Sequence, residues 1–338
     1  MITAISHKYK DESRTEWQKS LSGAIRDPLE LLRLLDLDQS VYRKRLTFPD
    51  KFKLLVPLSY VNKMRKGDWN DPLLQQVLPQ IKEEHNVSGF VTDPVGDLAA
   101  EVAPGILHKY PGRVLLITTG ACAVHCRYCF RRHFPYADSF FRQADWQQSL
   151  EQIRADESIY EVILSGGDPL MLSDARLQGL CEELASIAHV KTLRFHTRIP
   201  LFLPERINSA FLSWVSALPV AKVMVIHANH ANELDAVVAA SLQTLRMADF
   251  TLLNQSVLLK GVNDNVATLE RLSQQLFQCG VLPYYLHQLD RVHGASHFEV
   301  DREEAIGLYQ KLKERLSGYL VPKFVEEISG ERCKQAIV

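Results

Sequence analysis

The sequence predicts an α/β fold with a largely parallel sheet, preceded by a helical N-terminal region. Three observations support this fold class. Six short runs of β-branched and aliphatic residues follow residue 112, and helical patterns lie between most of them. Alternation of strands and helices at this spacing is typical of repeated β-α-β units. Residues 11 to about 100 differ, because apolar residues recur there at helical spacing.

The N-terminal region begins with one apolar set at helical spacing: Leu21, Ile25, Leu29, Leu32 and Leu35. The Asp27-Pro28 step interrupts this set, because proline lacks the backbone N–H that a helix interior needs. A second apolar stretch runs from Leu73 to Ile81. We therefore expect a mainly helical region over residues 1–100.

The six predicted strands are each five to seven residues long. They cover Val114–Thr118, Glu161–Ser165, Thr192–His196, Lys222–His227, Leu252–Leu258 and Leu282–Leu286. The helical patterns between them include Asp174–Ile187, Asn232–Arg246 and Val266–Gln278. Right-handed crossovers would arrange these strands as an open doubly wound sheet or as a curved, incomplete barrel. In both architectures the functional groups lie in loops at the carboxyl ends of the strands.

The composition is that of an ordinary globular protein. Of 338 residues, 46% are hydrophobic and 23% are charged, and the formal net charge is −1. A near-neutral chain has no strong field for nucleic acid or an anionic membrane surface. No apolar run approaches the roughly 18 residues that a membrane-spanning helix needs, and residues 1–8 lack the features of a secretory signal. Six cysteines are too few for a disulfide scaffold, so we expect a soluble, cytoplasmic protein with reduced thiols.

The loop after the first predicted strand contains three of the six cysteines. Cys122, Cys126 and Cys129 form a C-x3-C-x2-C pattern within eight residues. Closely spaced thiolates bind soft metals, and short cysteine runs of this kind hold iron–sulfur clusters. Three ligands would leave one iron of a four-iron cluster open to a substrate or cofactor. Two alternatives stay open on the spacing alone, namely a zinc site completed by His125 or His133 and three unrelated buried thiols.

The loop after the second predicted strand has the sequence Ser165-Gly166-Gly167-Asp168-Pro169. Glycine lets the backbone approach a ligand closely, and an aspartate can accept a hydrogen bond from an ammonium group. The same sequence also fits an ordinary β-α turn. These residues alone therefore do not decide between a ligand site and a turn.

The cysteine pattern, followed after roughly 35 residues by the glycine loop, resembles the radical S-adenosylmethionine (SAM) superfamily. The aromatic residues that flank the third cysteine, Tyr128 and Phe130, fit the same resemblance. In that superfamily a [4Fe–4S] cluster cleaves SAM to a 5′-deoxyadenosyl radical. The resemblance implies a partial (β/α)6 barrel and a cluster held by the three loop cysteines. It also implies a SAM site that includes Ser165, Gly166, Gly167 and Asp168.

Three further stretches resemble the lysine 2,3-aminomutases, which are radical-SAM enzymes that also use pyridoxal phosphate (PLP). They are Asn254–Asp264, Pro283–Asp290 and Ser317–Pro322. With the cysteine loop and the Lys109–Arg113 segment before it, the resemblance covers roughly residues 100–334. The short chain with a helical N-terminal region resembles the EpmB branch of the family. That branch supplies (R)-β-lysine for the modification of elongation factor P by the ligase EpmA.

The resemblance implies that Lys334 binds PLP, since the family's PLP lysine stands a fixed distance after the valine–proline step of the third stretch. A lysine amine forms a Schiff base with PLP. Of the glycine run that precedes this lysine in the family, only Gly330 is present, and Gln335 stands where a proline often follows the lysine. The resemblance also implies that Arg113 and Lys109 hold the PLP phosphate, because a dianion requires fixed cations.

The substrate contacts that the resemblance implies are all charged. Arg131 would pair the substrate carboxylate in a bidentate fork, and Asp290 and Glu327 would pair the side-chain ammonium of lysine. Glu327 stands where the family has an aspartate, so its longer side chain would shift the ammonium. One rival interpretation is an aminomutase for glutamate or another amine, and the two acids argue against glutamate. A second rival is a non-catalytic zinc or iron–sulfur module.

We therefore expect a helical region over 1–100, a radical-SAM partial barrel over 101–320 and a tail over 321–338 that carries the PLP lysine. The expected reaction is a 2,3-amino migration on L-lysine in which SAM is regenerated. The expected partners are lysine, an external electron donor and, through the EpmB branch, EpmA and elongation factor P. Neither nucleic acid nor a membrane is an expected partner.

Overall fold

The structure is a computed structural model, and it describes residues 14–39, 52–136 and 146–338. The described part of the N-terminal region contains four short helices: α1 (Glu16–Ser22), α2 (Pro28–Leu34), α3 (Leu58–Val61) and α4 (Pro72–Val77). Asp27 caps α2 by accepting a hydrogen bond from the Leu29 N–H, and Pro28 occupies the first helical position, where no N–H is needed. The predicted interruption at Asp27-Pro28 is therefore confirmed. Residues 1–13 and 40–51 of the predicted helical region lie outside the described residues.

Ten strands form one sheet in the described part of the chain. They are β1 (Glu101–Ala103), β2 (Ile106–Tyr110), β3 (Arg113–Thr119), β4 (Glu161–Gly166), β5 (Thr192–Thr197), β6 (Ala221–Ile226), β7 (Phe250–Val257), β8 (Leu282–His287), β9 (Lys323–Glu326) and β10 (Gln335–Ala336). The helices that follow the N-terminal region are α5 (Trp146–Ala155), α6 (Asp174–Ala185), α7 (Ile199–Phe202), α8 (Ser209–Ser216), α9 (Ala236–Met247), α10 (Val266–Gln278) and α11 (Arg302–Arg315). All six predicted strands are present, as β3 to β8.

The order of the strands decides between the two predicted architectures. Neighbours in the sheet follow chain order from β1 to β10, and β3 to β9 run parallel. A doubly wound sheet reverses its strand order at a switch point, whereas a barrel wall adds each strand on the same side. The sheet is therefore the wall of a partial barrel.

The sequence pattern misses four strands at the two edges of this wall. β1 and β2 pair antiparallel, and β2 pairs antiparallel with β3. At the other edge β9 adds a seventh parallel strand beside β8. β10 then turns back along β9, with Gln335 opposite Glu326 and Ala336 opposite Val325. The segment 321–338 thus contributes two strands to the wall.

Side chains on the parallel strands alternate between the hydrophobic core and the barrel interior. In β5, Leu193 and Phe195 are fully buried in a core that includes residues of α6 and α8. Arg194 and His196 of the same strand line the interior. The same core contains Trp17 and other residues of α1 to α4, so the N-terminal helices pack against the barrel. Among the described residues, no helix combines the length and the apolar character needed to cross a lipid bilayer.

Two glycines shape the hairpin that carries Lys334. Gly330 has a φ of +87° in the turn between β9 and β10, a conformation that glycine adopts without the strain a Cβ would cause. Gly96 lies against the same turn, because a Cβ added to it would stand only 2.2 Å from Ser329 Oγ. The loop that leads to Asp97 and the loop that leads to Lys334 are therefore packed directly together.

Candidate active site

One cavity of about 1280 Å³ occupies the barrel interior. The site residues predicted from the sequence all line it: Lys109, Arg113, Cys122, Cys126, Cys129, Arg131, Ser165, Gly166, Gly167, Asp168, Asp290, Glu327 and Lys334. They are spread over more than 200 positions of the sequence. The fold therefore brings the predicted residues together, while the role of each one stays a prediction.

The cysteine loop and the glycine loop are fitted closely to each other. The Gly167 N–H donates to the Thr119 carbonyl at 2.7 Å, and the Asp168 N–H donates to the Ala121 carbonyl at 2.9 Å. A Cβ added to Gly167 would stand 2.3 Å from the Ala121 oxygen, and Gly166 has a φ of +116°. Glycine is required at both positions, because the backbone of the second loop passes directly over the start of the cysteine loop.

The three loop cysteines are free thiols that line the same cavity. Burial raises the pKa of the Cys122 thiol well above its usual value, and the nearby Cys129 and Cys126 thiols raise it further. Burial and the Cys126 thiol raise the pKa of Cys129 to about 11. A bound cationic centre would reverse both shifts, since coordination deprotonates a thiol.

Both histidines that could complete a zinc site are held by backbone carbonyl groups. Within residues 14–39, 52–136 and 146–338, no three His, Cys, Asp or Glu side chains are grouped so that they could hold a single metal ion. The ring Nδ1 of His125 bonds to the Lys53 carbonyl at 2.7 Å, and the ring Nε2 of His133 bonds to the His293 carbonyl at 3.1 Å. A four-iron cluster suits the three cysteines better, because each thiolate binds a separate iron.

Asp168 ties the glycine loop to the end of β5. Its carboxylate accepts hydrogen bonds from the Thr197 hydroxyl and the Arg198 N–H, both at 2.8 Å, and from the Leu170 N–H at 3.1 Å. Burial raises the pKa of Asp168 to about 6, although these hydrogen bonds act in the opposite direction. Both oxygens are used within the chain, so its predicted contact with the ammonium group of a ligand stays a prediction.

Five charged side chains, here called the charge chain, alternate in sign across the cavity from Arg131 to Lys334. Arg131 Nε lies 2.6 Å from Asp97 Oδ2, and Lys109 Nζ lies 2.6 Å from Asp97 Oδ1. Lys109 Nζ also lies 2.9 Å from Glu327 Oε1, and Glu327 Oε2 pairs with Lys334. No member is more than 21% exposed. Solvent and salt therefore screen these pairs much less than they screen surface pairs.

Two acids at the Lys334 end of the cavity differ in their protonation. Burial acts to raise the pKa of Glu327, but Lys334 and Lys109 outweigh it and hold this pKa well below its usual range. The Asp290 carboxyl group has no hydrogen bond or ion pair to another described residue. Burial and the negative charge of Glu327 raise the pKa of Asp290 to about 7. Glu327 is thus the counter-ion of two lysines, and Asp290 is the acid open to a cation.

The two cations predicted to hold a phosphate differ in what they already contact. Lys109 contacts two carboxylates and donates to the Val95 carbonyl at 2.8 Å. Arg113 lies at the start of β3, with its guanidinium carbon 4.8 Å from the centre of the Tyr110 ring. It forms no ion pair with a described carboxylate. Arg113 is therefore the more available of the two cations for an added anion.

Sequence reasoning misses several polar residues that line the cavity, among them Asp97, His196, Arg198, His227 and His287. The last four lie at or just after the carboxyl end of a predicted strand. Because functional groups of such folds lie at these ends, the position could have identified them as candidates. Burial lowers the pKa values of the three histidines, that of His227 to about 3. These imidazoles are therefore neutral at pH 7. Asp97 offers no such signal, because it lies in an irregular loop.

Comparison with known proteins identifies the family. A family model described as the radical SAM superfamily matches residues 116–216. The L-lysine 2,3-aminomutase of Haemophilus influenzae is 46% identical over 94% of this chain and 94% of its own length. The chain belongs to the lysine 2,3-aminomutase family. Lysine 2,3-aminomutases of Escherichia coli and Buchnera aphidicola are 46% and 40% identical over 95% and 98% of this chain, and over 94% and 97% of their own lengths.

Lysine 2,3-aminomutases are isomerases that use a [4Fe–4S] cluster, SAM and PLP, so the expected enzyme class and cofactors are confirmed. The donor groups in the cavity fit these cofactors. Three free thiols suit the cluster, and the amine of Lys334 suits an aldehyde. The guanidinium of Arg113, which forms no ion pair with a described carboxylate, suits a phosphate. The family and the fold class predicted from the sequence are likewise confirmed.

Proposed function

We propose that this enzyme converts L-lysine to (R)-β-lysine by a 2,3-amino migration. Three relatives with the name L-lysine 2,3-aminomutase match at least 94% of this chain and of their own lengths. The observation that carries the proposal is the content of one cavity. It combines three free thiols, the amine of Lys334, a guanidinium at Arg131 and the carboxyl group of Asp290, which no other described residue pairs.

When bound, the cluster with SAM supplies a carbon radical that removes a hydrogen atom, and PLP carries the migrating nitrogen. The contribution of the chain is to hold these groups and to shield them. Cys122, Cys126 and Cys129 would hold the cluster, the adjoining loop 165–168 would hold SAM, and Lys334 with Arg113 would hold PLP. The cavity walls would keep water and oxygen away from the reactive carbon.

Charged groups at two places in the cavity would orient the substrate. Arg131 uses Nε for Asp97 and Nη1 for Ser165, so its Nη2 is available to a carboxylate. Asp290 is available to an ammonium group. A cation and an acid in one cavity suit lysine, whereas the side-chain carboxylate of glutamate would face the like charges of Asp290 and Glu327.

The test is an amino-acid assay on protein purified and reconstituted without oxygen. We expect chromatography to show β-lysine from L-lysine and no product from L-glutamate. Turnover of glutamate or another amine, with none from lysine, would reject lysine as the substrate. A protein that carries its cluster and PLP but converts no amino acid would reject the aminomutase activity itself.

The kcat/KM for lysine is expected to rise with pH through about 7, the value to which burial raises the pKa of Asp290. Asp290 binds an ammonium group as the carboxylate, so protonation below this pKa removes the contact. We expect kcat/KM to fall by about tenfold per pH unit below pH 7 and to level off above it. Asp290→Asn should lower kcat/KM at pH 8 roughly a hundredfold, or about 3 kcal/mol. The variant should also lose the fall of kcat/KM with decreasing pH below 7. If the pH profile of kcat/KM still bends near pH 7 in the variant, Asp290 is not the titrating group.

Asp97→Asn is expected to raise the KM for lysine about tenfold, with a smaller change in kcat. Asp97 is 1% exposed and orients both Arg131 and Lys109, and the amide keeps its shape but not its charge. Steady-state kinetics on the reconstituted enzyme measure the effect. Glu326→Gln is the matched control, because Glu326 pairs with the exposed Arg302. A loss confined to kcat would argue against a positioning role for Asp97.

We also infer that the β-lysine serves the modification of elongation factor P. The resemblance of the sequence motifs to the EpmB branch supports this inference. EpmA would attach the product, and an external electron donor would reduce the cluster. Mass spectrometry of elongation factor P incubated with EpmA and the enzyme's product is expected to show one added β-lysyl group. Equal modification with L-lysine alone would argue against this role.

A further inference from the structure

Arg198 is a buried cation in direct contact with a cysteine of the cluster loop. It is 8% exposed, and its Nη1 lies 2.8 Å from Cys126 Sγ and 2.6 Å from the Tyr128 hydroxyl. Its Nη2 donates to Gln76 Oε1 at 3.2 Å and pairs with Glu233. The guanidinium is thus held on several sides with one N–H directed at the sulfur of Cys126.

Glu233 supplies the opposing charge in the same buried network. It is fully buried, and its Oε1 accepts hydrogen bonds from the Asn229 N–H at 2.8 Å and the His230 N–H at 3.0 Å. These backbone donors fix the carboxylate independently of Arg198. The Arg198 backbone N–H also donates to Asp168, so Arg198 joins the glycine loop to the cysteine loop.

We propose that Arg198 is a positioning residue that raises the reduction potential of the cluster held by Cys126, and that Glu233 limits this rise. The proposal rests on the proposed function, because it requires the cluster. Reduction adds a negative charge to the cluster. A hydrogen bond to a ligand sulfur and a nearby positive charge both stabilise that added charge. Burial enlarges the effects of both residues, because charges inside the protein are weakly screened.

The test is the midpoint potential of the cluster, measured by redox titration with electron paramagnetic resonance on anaerobically reconstituted protein. Glu233→Gln is expected to raise the potential, because it removes a negative charge and keeps the shape. Addition of Arg198→Gln is expected to lower it again. At a fixed applied potential the reduced-to-oxidised ratio should fall at least tenfold relative to Glu233→Gln alone, a shift of about 59 mV for a one-electron couple. The double variant leaves no buried carboxylate without its partner.

Glu270→Gln is the matched control, because Glu270 pairs with Arg315 away from the cavity, and its potential should equal that of the parent. Shifts of opposite sign for Glu233→Gln and for the added Arg198→Gln support the proposal, since a merely structural role gives no such reversal. Equal potentials in parent and variants with full iron content overturn it. If the double variant folds without iron, the midpoint potential of Glu233→Gln alone tests the proposal. A potential that is not higher than that of the parent then overturns it. A parent protein that binds no iron would instead reject the proposed function.

Discussion

Lys334→Arg is expected to lower the turnover of L-lysine roughly a thousandfold, equivalent to about 4 kcal/mol of transition-state stabilisation. Arginine keeps a positive charge that can pair with Glu327, so the charge chain and the β9–β10 hairpin are preserved. A guanidinium does not form a Schiff base with PLP, because it stays protonated. Steady-state assays on the reconstituted enzyme measure the loss. Borohydride reduction followed by peptide mapping locates any pyridoxyl group.

Lys323→Arg is the matched control for this substitution. Lys323 is exposed on β9, the strand that precedes the Lys334 turn, and it does not line the cavity. We expect the reduced pyridoxyl group on Lys334 in the parent and in the control, and on no lysine in Lys334→Arg. Turnover by Lys334→Arg within tenfold of the parent would show that Lys334 is not the PLP lysine.

Cys129→Ser is expected to remove the cluster and with it at least about a thousandfold of the activity. Serine has nearly the same size, so the packing of the cysteine loop should survive. Its hydroxyl does not ionise near neutral pH, and an oxygen ligand suits iron–sulfur chemistry poorly. Iron analysis and the visible absorption spectrum of the reconstituted protein measure the loss directly.

Cys279→Ser serves as the control because Cys279 is a half-buried cysteine at the end of α10, outside the cavity. It is expected to keep both its iron and its activity. Cys181 is less suitable, since it is fully buried in the core and a hydroxyl there would lower the stability of the fold. Full iron content in Cys129→Ser would exclude Cys129 as a cluster ligand.

The parallel strands of the barrel wall can be predicted from sequence because each is a continuous apolar run between turns or helices. The edge strands cannot be predicted in this way. β1, β9 and β10 contain only two to four residues, and so short a segment carries no distinct alternation. The pairing of Gln335 with Glu326, which closes the hairpin that carries Lys334, arises only from tertiary contact.

The part of the site that can be predicted consists of residues that lie close together in the sequence. Three cysteines lie within eight residues, and the glycine loop is contiguous. Asp97 and Arg198 contact their partners across 34 and 72 residues, and no local pattern records such contacts. The sequence therefore predicts Arg131 and Cys126 without these partners, while the structure shows that a buried charged side chain contacts each of them.

The charge chain makes the two ends of the cavity thermodynamically dependent on each other. Asp97, Lys109 and Glu327 each have two partners of opposite sign, so a change at one member alters the free energy of its neighbours. A ligand that neutralises the charge of Lys334 is therefore expected to alter the affinity of Arg131 for a carboxylate. By thermodynamic linkage, a carboxylate bound at Arg131 alters the affinity for the ligand at Lys334 by the same factor.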